Sequence, residues 1–120
     1  MGYIADLRKG EFCGRLEEVK NYIKKYGEID SCIFIKGWYD KTLPEFKKRV
    51  CAVSCDVDLF ESTKTCLKYM YPNLVKGGFF FSQDCHFPLI NKLFNIRGYG
   101  LIQLTKRFGY FIKKDNENGN

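Results

Sequence analysis

Three acidic residues offer the most direct chemistry in this sequence. Asp56 and Asp58 follow the apolar run 50–55 (VCAVSC), and Asp84 follows the run 79–82. Both runs read as buried strands. In open α/β sheets, ligands sit outside the carboxyl ends of the strands. Neighbouring strands lie ~5 Å apart, so these carboxylates can converge on one cation. Ligation by oxygen alone suits Mg2+ or another hard divalent ion. A plainer reading stands beside this one. Asp58 precedes Glu61 by three residues, the spacing of a capping box at a helix start. Asp56 and Asp84 serve equally as polar residues where buried strands surface. His86, the only histidine, is a reserve proton acceptor or simply a residue at a helix start.

The six cysteines (13, 32, 51, 55, 66 and 85) form no CxxC pair. Cys32, Cys51, Cys55 and Cys66 lie in apolar segments. Cys51 and Cys55 would stand ~13 Å apart along a strand. Neither a zinc knuckle nor a redox dithiol follows, and the expectation is buried, reduced thiols acting as small hydrophobes.

The elements that must position the acids alternate. Residues 1–15 read as a loop. Leu16, Val19 and Ile23 recur at helical spacing, and Gly27 stops that helix. Residues 31–36 (SCIFIK) read as a buried strand, and Pro44 marks a short helix start. Strand 50–55 is followed at once by a helix whose face carries Leu59, Thr63, Cys66, Leu67 and Met70, ended by Pro72. Lys76-Gly77-Gly78 turns into strand 79–82, a short helix covers 86–95, and 99–114 forms two strands around Arg107-Phe108-Gly109. This order predicts an α/β fold, a mostly parallel sheet with helices on both faces and a C-terminal antiparallel hairpin. One domain spans 1–114, and 115–120 is a polar tail.

Composition excludes other classes. The chain has 120 residues, 45% of them hydrophobic, too apolar for a disordered chain. No apolar run approaches the ~20 residues that span a bilayer, and the N-terminus lacks a signal-peptide core. The expectation is a soluble, cytoplasmic protein without a membrane partner. Twenty Lys+Arg against 14 Asp+Glu give a net charge of +6. The basic residues fall in short clusters on different elements, which argues against nucleic acid.

The motifs themselves resemble a known family. Gly37-Trp38-Tyr39-Asp40-Lys41-Thr42-Leu43-Pro44 resembles the GWF-x-DTLP stretch of the macrocin O-methyltransferase (TylF-type) family. Asp56-Val57-Asp58-Leu59-Phe60-Glu61-Ser62-Thr63 is similar to its D-x-D-L-Y-E-S-T. Tyr71-Pro72-Asn73-Leu74 and Lys76-Gly77-Gly78 follow as its LYP-x-L and PGG turn would. Gly10–Phe12 and 16–20 are similar to its helix entry, so the resemblance covers about 8–114. It implies a partial Rossmann-like, class I S-adenosylmethionine-dependent O-methyltransferase, assisted by Mg2+ and acting on a sugar or polyketide-type hydroxyl. It further implies metal ligands at Asp56, Gln83 and Asp84, a general base at Asp58, and a cofactor pocket near Gly37 and Trp38. Gln83 replaces an Asp of the family and Cys85 a Tyr, which implies weaker metal binding.

The family's first two strands, its glycine-rich cofactor loop after the first strand and the acidic residue after the second have no counterpart here. In the family's sheet those strands separate the third from the fourth. Segment 31–36 must therefore pair directly beside 50–55 or remain an exposed edge. The expected reading is the metal- and acceptor-side part of a methyltransferase, inactive alone. Its partners would be a small-molecule hydroxyl acceptor and either the missing N-terminal half or a further copy of the chain. A non-catalytic binding or scaffold module derived from that fold, and a small basic nucleic-acid-binding module, are the rival readings.

Overall fold

The computed structural model describes Lys9 and residues 13–114; the expectations for the N-terminal loop and the tail 115–120 fall largely outside these. The chain forms two compact units that divide after Trp38.

The first unit carries α1 (Leu16–Tyr26). Its start is held by Glu18, whose Oε2 accepts the Arg15 N–H at 3.3 Å. Glu17 and Glu18 in the first turn and Lys24 and Lys25 in the last complement the helix dipole. Gly27 ends the helix as expected, yet with φ −141° its backbone is extended rather than left-handed. A 3-10 turn over Ile29–Ser31 follows. Residues 32–36 then join no ladder, which corrects the strand expected at 31–36. The physical reason is that an apolar run becomes a strand only when a neighbour takes its backbone groups. Ile33 is 79% and Ile35 57% exposed, and no residue of the helices in this unit is buried.

The second unit opens with α2 (Tyr39–Thr42) and a 3-10 turn over Leu43–Glu45, with Pro44 at its start. Then come β1 (Val50–Cys55), α3 (Phe60–Met70), β2 (Leu74–Ser82), α4 (Pro88–Ile96), β3 (Ile102–Gln103) and β4 (Gly109–Ile112). The sheet runs β1-β2-β4-β3. β1 and β2 are parallel, and the β2–β4 and β4–β3 pairs are antiparallel. The sheet is therefore mixed. Its parallel part is the βαβ unit around α3, which ends at the three acids.

Core packing explains the order of elements. Cys66 and Leu67 of α3, and Ile90 and Phe94 of α4, cover one face of the sheet against Cys55, Leu74, Phe80 and Phe111. Phe80 stacks on Phe111 at 5.1 Å, and Phe94 packs against both rings. Phe79, Phe81 and Tyr110 cluster with one another and leave Phe79 38% exposed. β1 is less buried than its composition suggests, since Cys51, Ala52 and Ser54 are exposed.

The turn expected at Lys76-Gly77-Gly78 lies inside β2 as an irregularity, where the register jumps from Val50↔Leu74 to Ala52↔Phe79. Gly77 has φ +76°, the left-handed region that favours glycine. A Cβ on Gly78 would lie 2.8 Å from the Cys51 carbonyl oxygen. Both glycines are thus required by backbone geometry. Beyond α3, Asn73 donates from its amide to the Phe46 carbonyl at 2.8 Å, and its own carbonyl accepts the Val50 N–H at 3.0 Å. The Tyr-Pro-Asn-Leu stretch therefore fastens the start of the sheet.

Candidate metal centre

The loop after β1 is shaped by backbone before any side chain acts. Leu59 N–H donates to the Val57 carbonyl at 2.6 Å, and Asp58 sits at φ +60° in that tight turn. Left-handed backbone costs about 1–2 kcal/mol outside glycine, least for Asp and Asn. What holds the turn is Asp84. Its Oδ2 accepts the N–H groups of Val57 at 3.0 Å and Asp58 at 3.1 Å. Asp84 is held in its turn by the Ser82 hydroxyl, which accepts its N–H at 3.2 Å. The strand ends are also joined by the Gln83 N–H, which donates to the Cys55 carbonyl at 3.0 Å.

This clamp gathers the acids. One carboxylate oxygen from each of Asp56, Asp58 and Asp84 lies within 4.8 Å of the others. Asp56 is exposed, Asp58 half-buried and Asp84 1% exposed. Oxygens on opposite sides of a hard cation stand about 4.2 Å apart for Mg2+ and about 5 Å for Ca2+, twice the usual bond lengths. The donor set therefore fits a hard divalent cation with sub-ångström adjustment. Burial pushes the Asp84 carboxyl up from its ordinary value; the two N–H bonds oppose this, and the charges of Asp58 and Asp56 add to it. A cation among the three acids would relieve that repulsion.

The capping alternative for Asp58 is corrected by the geometry. The cap position of α3 is taken by Leu59, and no side chain caps the helix. Glu61 instead pairs with Lys64 at 3.3 Å. The end of the motif is structural: Thr63, fully buried, donates its hydroxyl to the Leu59 carbonyl at 3.0 Å. Gln83, expected as a ligand, is exposed beside Asp84 at the strand end. Gly37 and the 80% exposed Trp38, expected at the cofactor pocket, belong to the other unit. His86 precedes α4, with a buried Nδ1 that has no partner and its ring 4.1 Å from Phe87.

Cys85 is a buried hydrophobe, its thiol raised by burial and its sulfur donating to the Ser82 carbonyl at 3.8 Å. None of the six cysteines is in a disulfide; Cys55, Cys66 and Cys85 are buried, whereas Cys13, Cys32 and Cys51 are exposed, against the expectation for Cys32 and Cys51. The Cys55 thiol is pushed up by its hydrogen bond with Cys66 and by burial. Sequence reasoning missed Tyr39. Its phenol is raised by burial first, then by Cys66, Cys55, Asp56 and Asp58. The tyrosine in place of the motif's Phe was the available signal.

A mixed sheet whose parallel strands end in converging carboxylates defines an α/β domain with its acids at the strand ends, where ligands of open α/β sheets sit. Residues 12–93 match the macrocin O-methyltransferase (TylF) family, and the chain belongs to that family. It is 37% identical over 71 residues to the 8-demethyl-8-(2,3-dimethoxy-alpha-L-rhamnosyl)-tetracenomycin-C 4'-O-methyltransferase of Streptomyces olivaceus, covering 58% of this chain and 27% of that protein. It is 36% identical over 70 residues to the demethyldecarbamoylnovobiocin O-methyltransferase of Streptomyces niveus, covering 57% and 27%. Among solved structures it is similar to the O-methyltransferase NovP, with a TM-score of 0.75 and 25% identity over 83% of this chain and 45% of that one. The chain thus spans about a quarter of the curated relatives it matches. No helix among the described residues is long and apolar enough to cross a membrane.

Proposed function

We propose that this chain forms the metal- and acceptor-binding part of an S-adenosylmethionine-dependent O-methyltransferase acting on a sugar or polyketide-type hydroxyl. The observation that carries the reading is the carboxylate cluster within 4.8 Å, built from residues inside the family match. A divalent cation supplies Lewis acidity, lowering the pKa of a hydroxyl bound to it. Asp56 and Asp84 would hold the cation, with the Gln83 amide oxygen as a neutral donor that lowers the charge of the site. Asp58 would accept the hydroxyl proton. The tight turn and the Asp84 clamp fix the backbone that carries that carboxylate, which supports the alignment that methyl transfer needs. Gly37 and Trp38 would line the cofactor pocket.

Calorimetric titration with Mn2+ tests the site. One saturable event is expected, weakened about tenfold or more, roughly 1.4 kcal/mol, by Asp56→Asn. Absence of binding, or an unchanged Asp56→Asn variant, overturns the metal assignment. In the complete protein, methyl transfer unchanged by both Asp56→Asn and Asp58→Asn would overturn the reading as a whole.

A further inference from the structure

We propose that the cleft between α3 and the chain leaving α4 binds a phosphorylated small molecule, at a site separate from the acids. The cleft has a volume of about 610 Å3 and is lined by Glu61, Lys64 and Lys68 of α3 together with Tyr71, Arg97 and Tyr99. None of Asp56, Asp58 and Asp84 lines it. The volume lies within the ~300–1,000 Å3 of small-molecule pockets, which favours a discrete ligand over a polynucleotide.

Charge selects the ligand class. Three cations meet a single carboxylate, Glu61, already paired with Lys64 at 3.3 Å. Lys68 and Arg97 form no ion pair among the described residues. A guanidinium and two ammonium groups lining one cleft suit phosphate oxygens, which accept paired N–H bonds from arginine. Lys113 adds positive potential at the wall, its Nζ 4.8 Å from the centre of the Tyr71 ring and bonded to the Tyr71 and Leu74 carbonyls. The wall is built on packed rings: Tyr99 stacks on the buried Phe111 at 4.6 Å and lies 5.1 Å from the Tyr71 ring. A ligand with phosphate at one end and a flat ring at the other would use both features.

The test is calorimetric titration of the full chain with inorganic pyrophosphate and with ADP, at low salt and with chelator present so that no metal at the acids contributes. Saturable one-to-one binding is expected for both, tighter for ADP. The Lys68→Gln, Arg97→Gln double variant should weaken it by about tenfold or more. The Lys24→Gln, Lys25→Gln variant removes the same charge from the other unit and should leave it unchanged. Absence of saturable heat, or equal weakening by both double variants, overturns the proposal. So does a short single-stranded RNA that binds more tightly than ADP and is lost equally in both.

Discussion

Asp84 carries two demands that pull against each other. As part of the fold it accepts two backbone N–H bonds in a buried position; as part of the site it faces two further carboxylates. Its pKa is raised, so the folded chain holds that proton more tightly than the unfolded chain does. The resulting stability is fully present below the ordinary carboxylate value of 3.8 and is lost as pH rises through the higher folded value. Asp84→Asn should therefore gain thermal stability relative to the natural chain as pH rises through that window, measured by differential scanning without metal. A divalent cation should raise the thermal stability of the natural chain and not that of this variant. At this scale the sequence was informative about which acids meet, because strand ends and acidic residues can both be read from letters. It was silent on how Asp58 is held. A φ of +60° at Asp58, with the helix cap passed to Leu59, goes with hydrogen bonds donated to the carboxylate of Asp84, 26 residues away.

Elements divide by whether their partners are local. α3, α4 and the closing hairpin are foreseeable from periodicity and turn residues, since their faces pack within the βαβ unit and its hairpin. Segment 31–36 has the same apolar letters as a strand yet finds no ladder, because composition does not reveal whether a neighbour exists. The irregularity in β2 was equally hidden, its glycines reading as a turn. Gly78→Ala should cost about 1–3 kcal/mol in urea unfolding, the range for forcing a methyl into filled space, because the Cys51 and Val75 carbonyl oxygens stand 2.8 Å from its Cβ. Lys113→Met should cost about 1–3 kcal/mol by removing the donor to the Tyr71 and Leu74 carbonyls, provided they stay shielded from water.

For the whole molecule, stability is unevenly shared. The unit from Tyr39 onward holds every buried residue of the core, whereas the helices of the unit ending at Trp38 bury none. Local opening should therefore be easiest before Trp38. Brief trypsin treatment should cut first at Lys24, Lys25 or Lys36, and mass spectrometry should find a persistent fragment beginning near Gly37. First cuts within α3 or β2 would contradict this. Phe111→Ala, which removes the ring stacked on Phe80 and Tyr99, should destabilise that fragment by about 3–5 kcal/mol.

The distribution of thiols gives the chain a native reporter of its own opening. Cys13, Cys32 and Cys51 are open to an alkylating reagent, while Cys55 of β1 and Cys66 of α3 are buried against each other and Cys85 lies beneath the turn into β4. The six thiols of the chain thus form two populations separated by the core. A short pulse of label should mark the outer set at once, and the inner set only at the rate at which the sheet parts from its helices. Mass spectrometry can then follow the breathing of the strands that end at the three acids with no probe introduced.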